Sequence, residues 1–490
     1  MKWKTTALLL LTAVAIGAYL SLYELKQPSP EERQRRSTRI LDLPASSVTR
    51  LVVESGQGRV TLAREEGAWR LGPAGMRADP DRVSDLLRGL NPLTTERTFK
   101  ADNLTAYGLE PPEATVMVQA SGHTTTLRIG GTTPVNTSRY LTISERPGVF
   151  ITGPALFNAL NHADDWFRDT LLLRFNTWDA EQVTLASAIG TTALTGKAGT
   201  WRLTQPVEDV ADGAGLSALL GRLGSLSISR IVETRPTDAQ RTSLGLSPAR
   251  LTVSVRQHAE PRTVTVSFGD PLPDDPTLVA AARADESAVY AVPAADVEFL
   301  RQDPDAWRSR QCFPDLSIAQ ISKVAWTQGE TRRMIEQHEG HWTPAGASDT
   351  LETPRVEGWL NEVIALPLGA FVEDRPSDLA PYGLKTPAGS ITIWTDAGAD
   401  PQGLLIGGAR EGTLERYGRI EGRPPVVLLP ASITELLAMN PDAWRSAPAP
   451  GAPAAPPSSA SAPPGPGTST RTHPGPAAAT AASGRGPDPR

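Results

Sequence analysis

The chain has 490 residues, with 48 Lys and Arg against 54 Asp and Glu and a formal net charge of -6. That length suits about three domains of roughly 100–200 residues each, and the near balance of charge gives no footprint for nucleic acid or an anionic membrane surface. A single cysteine, Cys312, excludes an internal disulfide framework and any cysteine-based zinc or cluster site; it reads as a small core residue.

Lys2 and Lys4 precede an apolar run from Thr5 to Tyr23. At about 1.5 Å of rise per residue, such a run crosses a hydrocarbon core of about 30 Å with little to spare. The two lysines favour a cytoplasmic N-terminus; the charges that follow, Lys26, Arg33, Arg35 and Arg36, are diluted by Glu24, Glu31 and Glu32. A cleavable signal peptide is the competing reading, with Ala15-Ile16-Gly17 as small-residue cleavage site. The apolar stretch continues through Tyr19, Leu20 and Leu22, longer than a usual signal core. Residues 1–36 are therefore expected to form an uncleaved single-pass anchor with its juxtamembrane segment, the bulk of the chain lying outside the cytoplasm.

From there the chain repeats itself. Ala68-Trp69-Arg70-Leu71 returns as Thr200-Trp201-Arg202-Leu203 and as His341-Trp342-Thr343-Pro344. A Gly-Leu turn follows at Gly108-Leu109, Gly245-Leu246 and Gly383-Leu384, then a strand-ending glycine at Gly130, Gly269 and Gly407. Trp166, Trp307 and Trp444 close the units. Successive landmarks lie about 132 to 141 residues apart. Four landmarks in one order, three times over, predict repeat domains at 37–170, 171–310 and 311–446. A unit of this size buries its own core, unlike a solenoid repeat. The junctions near 169–176 and 308–318 are short, which predicts a semi-rigid arrangement.

Within a unit the local code is readable. Val48–Glu54 and Arg59–Arg64 are β-branched, alternating runs flanking Gly56 and Gly58, a hairpin signature. The Trp69 segment is a third strand. Asp79-Pro80 opens a helix, with Asp as N-cap and Pro in the first turn. Val83, Leu86, Leu87 and Leu90 fall on its apolar face. The second unit uses Asp212-Gly213 before Leu216, Leu219, Leu220 and Leu223; the third uses Thr353-Pro354 before Val356, Leu360, Val363 and Ile364. Strands are predicted over 114–120, 124–129, 139–143 and 149–152, then a short helix from Pro154 to about Asn161. The fold class is α+β: three tandem mixed β/α repeat domains, each read as two β-β-β-α halves. Residues 447–490 are Ala, Pro, Gly, Ser and Thr with scattered Arg, too poor in large apolar side chains to fold.

Candidate chemistry is sparse. Gly190 to Lys197-Ala198 resembles a phosphate loop, but the glycine spacing is one residue too long and Ala198 replaces the magnesium-binding hydroxyl. A hairpin turn fits better. Gly130-Gly131, Gly407-Gly408 and Gly269-Asp270 read as a hairpin or bulge rather than an anion nest. His338 and His341 read as hairpin residues on opposite strand faces rather than metal ligands; His123, His162 and His258 are unmatched between units. The acidic pairs Asp164-Asp165, Asp274-Asp275 and Glu373-Asp374 read as solvated loops. Asp165, Asp305 and Asp442 precede the closing tryptophans in every unit, which suits capping or packing. Trp69, Trp201 and Trp342 read as core anchors. No nucleophile elbow or zinc-protease motif is present, so no catalytic, cofactor or metal residue is assigned.

The N-terminal anchor, the Trp strands, Tyr107-Gly108-Leu109-Glu110-Pro111-Pro112 with Ile129-Gly130-Gly131, and Tyr382-Gly383-Leu384-Lys385-Thr386-Pro387 with Ile406-Gly407-Gly408 resemble a bacterial domain-of-unknown-function family, the one numbered four-three-four-zero. The likeness covers residues 1 to about 445; the middle unit departs, with Leu244 for the tyrosine and Phe268-Gly269-Asp270 for the glycine pair. The resemblance implies an inner-membrane, periplasm-facing accessory or scaffold subunit of an envelope complex, such as an ABC transporter permease with gliding-motility-type auxiliary proteins. It carries no functional residues. The alternative is an extracytoplasmic ligand-binding protein or envelope enzyme with a site between repeat domains.

Overall fold

The computed structural model describes residues 38–134, 137–197, 199–259, 261–395 and 400–445. The expected anchor at 1–36 and the expected disordered tail at 447–490 lie outside them. Among the described residues no helix is long and apolar enough to cross a membrane.

The first unit runs β1 (Arg39–Leu41), β2 (Val48–Ser55), β3 (Gly58–Glu65), β4 (Ala68–Leu71), β5 (Met76–Arg77), α1 (Pro80–Leu90), β6 (Leu93–Thr94), β7 (Arg97–Phe99), β8 (Ala114–Ala120), β9 (His123–Thr132), β10 (Arg139–Ile143), β11 (Arg146–Thr152) and α2 (Ala155–Leu160). Its main sheet has nine antiparallel strands in the order β5-β4-β3-β2-β8-β9-β10-β11-β7, and β1 pairs separately with β6.

The second unit repeats this as β12 (Ala180–Ser187), β13 (Gly190–Lys197), β14 (Thr200–Gln205), β15 (Asp209–Val210), α3 (Gly213–Ser225), β16 (Arg230–Glu233), α4 (Asp238–Ser243), β17 (Leu251–Gln257), β18 (Thr263–Pro271), β19 (Leu278–Arg283), β20 (Val289–Pro293) and α5 (Ala295–Glu298), again a nine-stranded sheet. The third has β21 (Ile321–Gln328), β22 (Thr331–His338), β23 (His341–Pro344), α6 (Thr353–Ile364), β24 (Phe371–Glu373), β25 (Gly389–Thr395), β26 (Gln402–Ala409), β27 (Arg416–Ile420), β28 (Val426–Leu429) and α7 (Ser432–Ala438). Its sheet has eight strands and lacks the edge strand that β5 and β15 supply. The chain is thus three mostly β repeats with a few helices.

Each unit is two meanders joined at their first strands: β2 with β8, β12 with β17, β21 with β25. Each meander is followed by a helix that lies on one face of the sheet. The alternation of β2 and β8 puts Leu51, Val53, Val116 and Val118 on that face, where α1 buries Val83, Leu86, Leu87 and Leu90. Full burial of each such side chain contributes about 1.5–3 kcal/mol. The Asp79 carboxylate caps α1 by accepting from the Asp81 and Arg82 amides at 2.9 and 3.3 Å. Asp212 does the same for α3 through Ala214 N at 3.1 Å.

The structure departs from the sequence expectation at three places. Thr353 is the first helical residue of α6, not its cap; Glu352 stands at the cap without a side-chain bond and reaches forward to Arg355 at 2.6 Å. Its longer side chain favours that ion pair over its own backbone. Trp359, rather than Ile364, completes the buried face of α6. The first unit closes on Phe167, not Trp166. The Phe167, Trp307 and Trp444 carbonyls each accept from the residue opening the unit's first long helix, and all three side chains are buried. Trp166 is half-buried and stacks on His162, ring centroids 3.9 Å apart.

The Gly-Leu turn and the strand glycine meet in space. Gly108, Gly245 and Gly383 have φ of 66°, 67° and 65°, a left-handed backbone that favours glycine. The carbonyl one residue before each lies against the strand glycine. A Cβ at Gly130, Gly269 or Gly407 would sit 2.3, 2.0 or 2.1 Å from that oxygen. The glycines are bulge residues within β9, β18 and β26, because the register with the next strand slips there in every unit.

Candidate functional site at the junctions between units

The segments leaving one unit for the next are buried, not loose. In the first junction the Asp169 amide donates to Arg77 O at 3.0 Å and Leu172 N donates to Leu226 O at 2.7 Å. Asp169 is fully buried and its carboxylate accepts from Arg174 Nε at 2.9 Å, with Arg77 3.8 Å away. Arg174 also lies 3.3 Å from Asp79, so the cap of α1 is tied into the junction. From the second unit, Asp285 in the β19–β20 turn meets Arg77 at 2.9 Å and Arg70 at 3.1 Å. Glu286 accepts from the Arg77 amide at 3.0 Å. Buried Arg283 donates to the carbonyls of Leu172 and Asp169, each at 3.0 Å. Met76 completes the contact by packing into the second unit's hydrophobic core.

The second junction uses the same positions with different charges. Asp209, on β15 where β5 carries Met76, is 0% exposed. It accepts from Arg308 Nε at 2.9 Å and from Arg423 at 2.7 and 3.1 Å. Arg308 (1% exposed) also pairs with Asp305 at 2.8 Å and Asp374 at 2.7 Å, and its guanidinium lies 3.5 Å from the Phe371 ring centroid. Arg423, in the β27–β28 turn, further donates to Ser309 O and Gln311 O at 3.0 Å.

Burial pulls the Arg77 guanidinium below its ordinary value, reinforced by Arg283, while Asp285, Asp169 and Glu286 oppose the shift. Burial acts the same way on Arg308, but hydrogen bonds to Asp305, Asp209 and Asp374 outweigh it and the net shift is upward. Burial also pushes the Cys312 thiol up to about 12, partly offset by Arg423. Cys312 is therefore an inert core residue beside the junction, as its isolation in the sequence suggested. Paired charges of this kind fix geometry. They supply neither a nucleophile with an adjacent base nor an open metal shell, and no group of three metal-ligating side chains occurs among the described residues. Beside the junctions lie clefts of about 610 Å³, lined by Trp69, Arg70, Arg77, Arg174, Arg262 and Asp285, and about 450 Å³, lined by Trp201, Asp212, Arg308 and Gln311 among others.

The sequence candidates fall elsewhere or have local roles. Gly190–Lys197 is strand β13, neither the expected hairpin turn nor a phosphate loop, and Gly196 makes room for Trp201, whose ring would lie 2.7 Å from an added Cβ. His338 and His341 are direct cross-strand partners and so share a face, a correction to their expected opposition; both are exposed. His258 pairs with Glu181 at 3.2 Å. Asp305 and Asp442 do not cap: Asp303 and Asn440 accept from their amides, while they pair with Arg308 and Arg445 at 2.8 and 2.9 Å. Of the acidic pairs, Glu373-Asp374 is not merely solvated, since Asp374 enters the second junction and Glu373 accepts from Tyr382 Oη at 2.5 Å; Asp274 meets Arg230 at 2.5 Å, and Asp164-Asp165 is exposed. Trp342 is fully buried, whereas Trp69 and Trp201 are half-buried at the core's edge.

Sequence reading missed Arg77, Asp169, Asp209, Arg283 and Arg423. The one available signal was a charged residue standing at a strand end where the apolar pattern predicts burial, as at Arg283 after Val279-Ala280-Ala281-Ala282.

No curated protein matches the chain. The model of one family, described as Domain of unknown function (DUF4340), matches at residues 69–200, 201–354 and 342–447. Each match begins at a landmark tryptophan, Trp69, Trp201 or Trp342, so the family's frame starts inside the first meander rather than at the junction. Covering most of the chain in three copies, these matches place the protein in the DUF4340 family.

Proposed function

We propose that the protein is a non-enzymatic, single-pass membrane protein whose extracytoplasmic repeats serve as an accessory or scaffold subunit of an envelope complex, such as a gliding-motility-type ABC transporter. The observation that carries this reading is the chemistry of the junctions. Their buried side chains pair across the boundary and hold one unit to the next, an arrangement suited to a spacer of fixed geometry. The apolar run from Thr5 to Tyr23 supplies the anchor, and Ala447 onward supplies an Ala- and Pro-rich tail. Purification of the tagged full chain from bacterial membranes in mild detergent tests the reading. Recovery in the membrane fraction with a transporter permease or auxiliary subunit supports it. Recovery in the soluble fraction, or from membranes without such a subunit, overturns it.

A second reading rests on the cleft of about 610 Å³ at the first junction, where half-buried Trp69 and several arginines converge. Such a cleft suits an anionic envelope metabolite or glycan. A thermal shift with such ligands, abolished by Arg262→Ala, favours this reading over the scaffold.

A further inference from the structure

The repeat makes each junction a template for the two ends of the chain. Ala211 bridges Arg308 and donates to the Trp201 carbonyl at 3.0 Å; Leu351 bridges Arg445 and donates to the Trp342 carbonyl at 2.8 Å. Asp349 therefore stands where Asp209 stands, and Arg445 where Arg308 stands. The ion pairs are reproduced as well. Arg445 meets Asp349 at 2.5 Å and Asp442 at 2.9 Å, as Arg308 meets Asp209 and Asp305. The difference is exposure: Asp349 and Arg445 are 59% and 43% exposed, against 0% and 1% for the pair they copy.

The opposite end carries the matching half. At the start of β11 Arg146 lies three residues after Ile143, as Arg423 in the β27–β28 turn lies three after Ile420, and both hairpins keep the same register. Arg423 donates to the carbonyls of Ser309 and Gln311 in the incoming segment; Arg146 donates to Arg39 O and Ile40 O at 3.0 and 3.2 Å. Arg146 is exposed, beside an open cleft lined by Arg39, Ile40, Leu41 and Asp42. Polarity selects the pairing. The middle unit has Glu286 at this turn position and receives the Arg77 backbone amide, whereas Asp209 is received by an arginine. Asp349 thus matches the turns of the first and third units and mismatches that of the second.

We propose that the Asp349–Arg445 face of the third unit docks the Arg146 face of the first unit in a second copy of this chain, repeating the second internal junction between molecules. The contact is head-to-tail, so it builds rings or filaments rather than a closed twofold dimer. It follows from the repeat alone and stands whether or not the scaffold reading does.

Sedimentation of the full chain in mild detergent over a range of concentrations tests this. Wild-type protein is expected to associate. Asp349→Arg and Arg146→Asp are each expected to raise the midpoint concentration at least tenfold, and the double variant to restore it. At concentrations below the association midpoint all four proteins should keep one thermal midpoint, because both side chains are exposed. A wild type that stays monomeric, an association indifferent to either charge, or a double variant that fails to recover overturns the proposal. A second measurement mixes two single variants that keep both charges, Pro147→Cys and Ser348→Cys, each beside the pair and exposed, with a short bismaleimide. Crosslinked dimer is expected at five times or more the yield of Pro147→Cys mixed with a control at exposed Leu414 (Leu414→Cys). Equal yields contradict the docking geometry.

Discussion

Asp209 and Arg423 are 214 residues apart in the sequence and 2.7 Å apart in the fold. Their pairing joins the edge strand of the second sheet to a hairpin turn of the third, over a linker whose carbonyls the same arginine binds. Asp209 is also the only carboxylate that meets both Arg308 and Arg423 among the described residues. Removing it leaves two buried guanidinium groups short of a partner. Asp209→Ala is expected to destabilise the chain by about 3–5 kcal/mol, in line with breaking one side of a buried ion pair. Asp305→Ala, which removes a half-exposed partner of Arg308, is expected to cost no more than about 1 kcal/mol. Denaturant unfolding of both variants measures the ratio.

The first junction should respond to acid. Burial raises the Asp285 carboxyl, but Arg77 and Arg70 outweigh it and hold the group below its ordinary value. A group depressed in the folded state stabilises above the unfolded carboxylate range, and that contribution is lost as pH falls through the lowered folded value. The stability difference between wild type and Asp285→Asn is therefore expected to be constant near neutrality and to vanish in acid. A difference independent of pH contradicts the assignment.

The glycine motif makes a stereochemical prediction. Gly407→Ala places a methyl 2.1 Å from the Tyr382 carbonyl, so the turn or the bulge must move. A loss of stability of about 1–3 kcal/mol is expected, typical of overpacking. Gly221 lies in the exposed middle of α3 with nothing near its missing Cβ. Gly221→Ala is expected to stabilise by about 0.5–1 kcal/mol through helix propensity. Thermal unfolding of the pair separates the two uses of glycine.

What the sequence disclosed follows from what is periodic or local. The faces of α1 and α3 were legible residue by residue, because helical spacing selects Val83, Leu86, Leu87 and Leu90 and their counterparts. The Gly-Leu turn was legible as a turn, but its contact with Gly130 was not, since nothing local links residues 108 and 130. The closing landmark slipped by one because Trp166 outweighs Phe167 to the eye, while burial chose Phe167. The junctions were least legible. Their charges change between copies, Met76 and Glu286 in one and Asp209 and Arg423 in the other, so repetition, the strongest signal in the chain, hides them. Asp374 looked like half of a solvated acidic pair because its partner, Arg308, lies 66 residues away.

The central claim is that these junctions hold successive units in one fixed relation. Spin labels at Ile189→Cys and Leu414→Cys, both exposed and on either side of the second junction, report it directly; the buried thiol of Cys312, raised to about 12 by its surroundings, stays unlabelled. Electron–electron distance measurements on the full chain are expected to give one narrow distribution, broadened by adding Arg423→Met. A distribution that is already broad with Arg423 intact contradicts the account.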